Sequence, residues 1–80
     1  MKAILEFDLD NPDDKMSHLR CIKATEMMIT LWEMDQHLRS LTKYAPDTTS
    51  EETYDELVRV RKRLHEIMDD NGITFDGLIE

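Results

Sequence analysis

One uninterrupted stretch decides the fold: residues 13–44, DDKMSHLRCIKATEMMITLWEMDQHLRSLTKY, contain neither glycine nor proline. Asn11 precedes it as an N-cap residue, Pro12 suits the first helical position, and the aspartates that follow stabilise the positive end of a helix. Pro46 ends the helix, because the residue before a proline disfavours helical backbone. The sequence therefore predicts one long helix over residues 11–44.

A second helix is predicted over residues 50–71. Thr49 and Glu52 have the spacing of a capping box at its start, and Asn71-Gly72 is typical of a helix stop. Because the connection between the two helices is short, they are expected to form an antiparallel hairpin. The tail after Gly72 either supplies a short strand or packs on the helices.

The N-terminal segment favours a strand, since residues 3–9 alternate with Leu5 and Phe7 on one side. Such a strand needs a partner, either the tail around residues 73–75 or the same strand of a second copy. The expected fold class is mainly α, with an N-terminal β-strand before a two-helix hairpin. The predicted organisation is a single domain over residues 1–80: a strand (1–10), a first helix (11–44), a loop (45–49), a second helix (50–71) and a tail (72–80).

The first helix is expected to be apolar on two sides. An alternating 3–4 spacing predicts a seam that faces the second helix: Ala24, Met27, Leu31, Met34, Leu38 and Leu41, opposite Leu57, Val60, Leu64 and Ile67. Other apolar residues lie off this seam, and they indicate either a thick core under the strand or a subunit interface. We expect a homo-oligomer, with an interface formed by Leu5, Phe7, Cys21, Met28 and Trp32.

Length and charge exclude several classes of protein. Eighteen acidic against ten basic residues give the 80-residue chain a net charge of −8, which argues against general nucleic-acid binding. The single cysteine, Cys21, cannot form an internal disulfide, and its apolar surroundings predict a buried position in a protein of the reducing cytoplasm. No apolar run has the length of a signal peptide or membrane span, so we expect no membrane association.

No motif in the sequence predicts catalysis. His18, His37 and His65 lack metal-ligand spacing and are expected to be solvated or partly packed, and no phosphate-binding glycine loop is present. We therefore expect no enzyme activity, no cofactor and no metal site.

Two charged groups are candidates for binding. An aromatic and basic face on the first helix, supported by cations of the second, could hold an anionic nucleotide between subunits: Trp32, Arg39, Lys43, Tyr44, Arg59 and Arg63. The alternative is that Trp32 packs in the core and that the two cations beside it, Arg39 and Lys43, are solvated. An acidic group at the start of the second helix could contact a basic protein partner: Glu51, Glu52, Asp55 and Glu56.

Six segments resemble a group of small uncharacterised proteins of tailed bacteriophages, with x marking positions outside the resemblance: MKAxLEFxL (1–9), LWEMDQxLR (31–39), KYAPD (43–47), SEExY (50–54), VRxxLHEI (60–67) and NGI (71–73). The resemblance covers nearly the whole chain but implies no particular activity. By analogy it implies a non-enzymatic protein of host takeover or anti-defence that binds and inhibits or modulates a host protein in the cytoplasm of an infected bacterium. The alternative is a protein that sequesters a small anionic ligand, such as a cyclic nucleotide signal.

Overall fold

The computed structural model describes residues 1–78 and consists of three longer helices and one short terminal helix. These are α1 (Pro12–Ile22), α2 (Ala24–Lys43), α3 (Glu51–Asp70) and α4 (Phe75–Leu78). Helices α2 and α3 form the predicted antiparallel hairpin, and α4 contacts α2. The molecule is elongated, with extents of 56 × 30 × 19 Å.

Side-chain caps start α1 and α3. The side chain of Asn11 accepts hydrogen bonds from the backbone N–H groups of Asp13 and Asp14 at 2.9 and 3.2 Å, which confirms the predicted start of the first helix. The cap of α3 is one residue later than predicted, because Ser50, and not Thr49, accepts a bond from the Thr53 N–H at 3.1 Å. The predicted capping box is therefore wrong.

The predicted first helix is divided at Lys23, where the backbone leaves helical geometry at φ −99° and ψ 1°. No glycine or proline marks this position in the sequence. The division coincides with a change in packing, because α1 buries no residue whereas α2 packs along α3. Packing against α3 thus sets the path of α2 but not that of α1.

The predicted N-terminal strand is wrong: no strand occurs among residues 1–78. The ring of Phe7 packs against His18 of α1, with 5.6 Å between the ring centroids. The backbone N–H of Asp8 donates to the carboxylate of Asp14 at 3.0 Å. These contacts attach the segment to α1, and residues 73–75, one of the two expected strand partners, instead lead into α4.

The hairpin seam keeps four residues of the predicted one and elsewhere lies one residue later on both helices; the four are Leu31, Leu38, Leu57 and Leu64. The least exposed positions again follow a 3–4 spacing: Met28, Leu31, Asp35, Leu38 and Thr42 on α2, and Leu57, Arg61, Leu64 and Met68 on α3. Met34 and Val60, which were expected in the seam, are instead 54% and 45% exposed. The only buried apolar residues of the described chain are Met28, Leu38 and Met68.

The end of α3 confirms the predicted glycine stop. Gly72 has a φ of +69°, the left-handed region that favours glycine. Its N–H donates to the Asp69 carbonyl at 3.0 Å and the Ile73 N–H donates to the Met68 carbonyl at 2.9 Å, which is a Schellman motif. The tail then packs instead of forming a strand, and its Phe75 lies edge-on to His65 with 6.1 Å between the ring centroids.

Candidate functional site

The centre of the hairpin holds a polar cluster of a buried Asp35, a half-buried Arg61 and a more exposed His65. Asp35 is only 2% exposed. Its carboxylate accepts hydrogen bonds from Arg61 Nε at 2.9 Å and Arg61 Nη2 at 3.2 Å. His65 Nε2 lies 2.5 Å from Asp35 Oδ1, and because an ionised carboxylate only accepts, His65 donates this bond. One carboxylate of α2 is thus held by two side chains of α3.

The cluster keeps Asp35 ionised. Burial by itself raises the pKa of this carboxyl, but the hydrogen bonds and charges of Arg61 and His65 together outweigh it and lower the pKa below its ordinary value of 3.8. The same hydrogen bond raises the pKa of Arg61 above its ordinary value. Both groups of the ion pair are therefore charged at neutral pH.

The cluster connects the two helices, because side chains of α3 bond to a carboxylate of α2. Among the described residues, no buried side-chain nitrogen or oxygen lacks a hydrogen-bond partner. A polar pair inside an apolar seam fixes the register of two helices, since any slip would leave a buried charge without its partner. Asp35 and Arg61 therefore fix how the hairpin is aligned.

Sequence reasoning missed this cluster, although a signal was present. Asp35 lies between Leu31 and Leu38 at the 3–4 spacing of a seam, and Arg61 lies between Leu57 and Leu64 in the same way. The prediction selected the neighbouring all-apolar positions on both helices instead. Two residues of opposite charge at corresponding positions of two facing apolar stripes indicate a buried ion pair.

The predicted aromatic and basic face of α2 is only partly assembled. Arg39, Lys43 and Tyr44 line one shallow concavity, and Lys43 Nζ lies 5.5 Å from the centroid of the Tyr44 ring. Trp32 lies two turns away on the same helix face and is 39% exposed. Half-exposed, it does not fit the alternative in which it is packed in the core.

Arg59 and Arg63 do not join this face. Arg59 pairs with Glu56 and Arg63 with Glu66, both on the exposed surface of α3. Because Arg61 points into the seam, residues two positions before and after it lie on the opposite side of the helix. The cations that α3 presents on the same side as Arg39 are instead Lys62 and, when protonated, His65.

The acidic group at the start of α3 is exposed. Three of its members line a shallow surface concavity together with Arg59: Glu52, Asp55 and Glu56. Glu51 stands at the first position of the helix, where an acidic side chain stabilises the helix end. The group is thus accessible to a partner, and Glu56 already has an ion pair within the chain.

The residues predicted for a subunit interface do not form one surface. Met28 is buried inside the hairpin, and Phe7 packs on His18. Trp32 lies on the face of α2 that bears Arg39. Cys21 is exposed on α1, so its predicted burial is wrong, because α1 has no helix packed on it. Leu5 is exposed in the N-terminal segment.

A different set of apolar side chains forms a continuous strip along one side of the hairpin. We call this strip the apolar flank; its members, all between 39% and 54% exposed, are Met27, Met34, Leu41, Val60 and Ile67. Each precedes a seam residue by one position. Met27 also lines an apolar groove with Met28, Ile73 and Leu78, where the tail meets α2.

Within residues 1–78, no three His, Cys, Asp or Glu side chains are grouped closely enough to hold a metal ion. None of the described helices combines the length and the apolarity that a bilayer span requires. Comparison of the chain with protein-family models, curated proteins and solved structures found no match. The resemblance to small phage proteins stays a prediction.

Proposed function

We propose that this chain is a non-enzymatic interaction protein that works as a homo-oligomer and binds a basic surface of a host protein. The observation that carries the proposal is the amount of surface left exposed. The chain exposes 7064 Å², whereas a folded monomer of its mass exposes about 5,000 Å². The excess of about 2,000 Å² is within the range that one subunit buries in an obligate complex.

The shape of the molecule supports the same proposal. The radius of gyration is 17.7 Å, whereas a compact domain of this length has about 12 Å. An elongated hairpin that buries only three apolar residues has little core of its own. Association with another chain would supply the missing burial of apolar surface.

The surface charge favours a basic partner. The exposed acidic group of Glu51, Glu52, Asp55 and Glu56 stands at the end of the hairpin beside the α2–α3 loop, away from α1 and the tail. Such a group would steer a partner of opposite charge and leave the apolar side of the hairpin free for self-association. The resemblance to phage proteins supports a host protein of the bacterial cytoplasm as that partner.

Self-association is tested by the mass of the wild-type protein in solution. Size-exclusion chromatography with light scattering should give at least twice the chain mass of 9.5 kDa. A mass equal to one chain at every concentration tested would overturn the oligomeric part of the proposal.

Partner binding is tested by reversing charge at the start of α3. The variant Glu52→Lys with Asp55→Lys should no longer capture from bacterial lysate the protein that the wild type captures. The matched control, Glu26→Lys with Glu33→Lys, changes the net charge equally at exposed positions of α2 and should capture it unchanged. Equal capture by all three proteins, or equal loss in both variants, would contradict a role of the acidic group.

A nucleotide binder is the second candidate, favoured by the concavity that Arg39, Lys43 and Tyr44 share. A guanidinium and an amine beside an aromatic ring are groups that hold phosphate and stack a base. A thermal-shift series with mono-, di- and cyclic nucleotides should then raise the melting temperature of the wild type but not of an Arg39→Ala, Lys43→Ala variant. No shift with any of them would remove this candidate.

A further inference from the structure

We propose that the apolar flank is the surface on which a second copy of this chain docks, so that two hairpins form a four-helix bundle. The inference rests on the proposed homo-oligomer and names its interface. The flank is distinct from the Leu5, Phe7, Cys21, Met28 and Trp32 set predicted from the sequence.

The register of the hairpin places the flank residues of both helices at interleaved heights. Asp35 bonds to Arg61 and to His65, so it lies level with Arg63 between them. Because the helices are antiparallel, Met34 then lies between the heights of Val60 and Ile67.

The same register continues the alternation along the hairpin. Val60 lies between the heights of Met34 and Leu41, and Ile67 lies between those of Met27 and Met34. Residues from the two helices thus alternate in one strip, with about one helical turn between neighbours.

The flank residues of both helices also point to one side. Each flank residue precedes a seam residue by one position: Met34 precedes Asp35, and Val60 precedes Arg61. In two antiparallel helices, positions with the same offset from the seam project to the same side of the pair. The strip is therefore one surface about two helices wide, the shape that a second helical hairpin covers.

The occupant is a second copy because the surface is self-complementary. The flank consists only of Met, Leu, Val and Ile side chains, so a two-fold axis brings apolar groups together without placing like charges in the contact. The chain as a whole exposes about 2,000 Å² more than a compact monomer of its mass, and burial of the flank in a dimer would remove part of that excess.

The net charge of −8 has a distinct consequence for such a dimer. Two copies repel each other at long range, and salt screens that repulsion. Raising NaCl from about 50 mM to about 500 mM should therefore lower the dimer dissociation constant. If the apolar flank bound a basic protein instead, salt would weaken that binding. An association at the flank whose dissociation constant rises with salt would therefore overturn the second copy as the occupant.

A matched pair of valine variants on α3 tests the surface itself. Val60 on the flank and Val58 on the opposite side are 45% and 44% exposed, and they differ chiefly in the side that they face. Val60→Glu should raise the dissociation constant at least about 30-fold and give the single-chain mass by light scattering. Val58→Glu should keep the wild-type mass.

The outcomes separate this inference from the proposed function. If the wild type is oligomeric and Val60→Glu stays oligomeric, or if both variants dissociate equally, the flank is not the interface although the homo-oligomer stands. A single-chain mass for the wild type would overturn both. Far-ultraviolet circular dichroism reports folding, and if Val60→Glu unfolds, the milder Met34→Ala should still raise the dissociation constant at least about fivefold.

Discussion

Asp35 of α2 and Arg61 of α3 occupy corresponding places in the two facing stripes, and two hydrogen bonds of 2.9 and 3.2 Å join their side chains. This pair explains why the apolar neighbours are exposed. With Asp35 and Arg61 directed into the seam, Met34 and Val60 are turned to the side of the hairpin. The ion pair that aligns the hairpin thus also produces the apolar flank.

Removing one member of the pair should destabilise the hairpin. In Arg61→Met the buried carboxylate of Asp35 keeps only its bonds from His65 and Gln36, and we expect the free energy of unfolding to fall by about 2–4 kcal/mol. The double variant Asp35→Leu, Arg61→Met buries no charge and should be more stable than Arg61→Met alone. Urea titration followed by circular dichroism measures both, and a double variant less stable than the single one would contradict this account of the pair.

Asp35 should make stability depend on pH in the acid range. Its pKa is lower in the folded chain than its ordinary value of 3.8, so the unfolded chain binds more protons between the two values. The stabilisation is fully present above that ordinary value and is lost as the pH falls through the folded pKa. Asp35→Asn should lack this component, so that unfolding free energies of the two proteins converge on acidification. A constant difference between them at every pH would refute the assignment.

The start of α3 allows a test between adjacent hydroxyl residues. Ser50 caps the helix through the Thr53 N–H, and Thr49 does not. Ser50→Ala should lower the free energy of unfolding by about 1 kcal/mol, whereas Thr49→Ala should change it by less than about half of that. Thermal and urea unfolding measure the difference, and the reverse order would restore the capping box predicted from the sequence.

The end of α3 offers a similar comparison between two glycines. Gly72 has a φ of +69°, and a Cβ added there would have no atom within 4 Å. Gly72→Ala therefore introduces backbone strain but no steric clash. We expect a loss of about 1 kcal/mol in the free energy of unfolding. Gly77→Ala, in the helical tail with only an ordinary 3.7 Å contact to Thr74 Oγ1, should be neutral or slightly stabilising. Equal effects of the two variants would contradict the left-handed cap.

Local signals in the sequence were sufficient for the hairpin. Asn11 and Gly72 act through their own backbone neighbourhoods, so their roles were predicted correctly. The strand over residues 1–10 was predicted wrongly, because an alternating pattern forms a strand only where another strand pairs with it. The break at Lys23 also depends on packing, since it lies beyond the part of α2 that α3 covers.

The candidate site was less predictable for a related reason. Hydrophobic periodicity selected Met34 and Val60, one position away from the true seam, because the seam itself contains Asp35 and Arg61. Whether a charged residue can enter a seam depends on its partner in the other helix, 26 residues away along the chain. A pattern within one helix does not contain that information.

The contact between two flanks can be observed directly by nuclear magnetic resonance on a mixture of methyl-labelled and unlabelled chains. An isotope-filtered Overhauser experiment records only contacts between different chains. We predict intermolecular signals from the methyl groups of Met34, Val60 and Ile67, and none from Met28, which is buried within its own hairpin. Intermolecular signals confined to other surfaces, such as α1 or Trp32, or their absence from the flank in an oligomeric sample, would contradict the central claim.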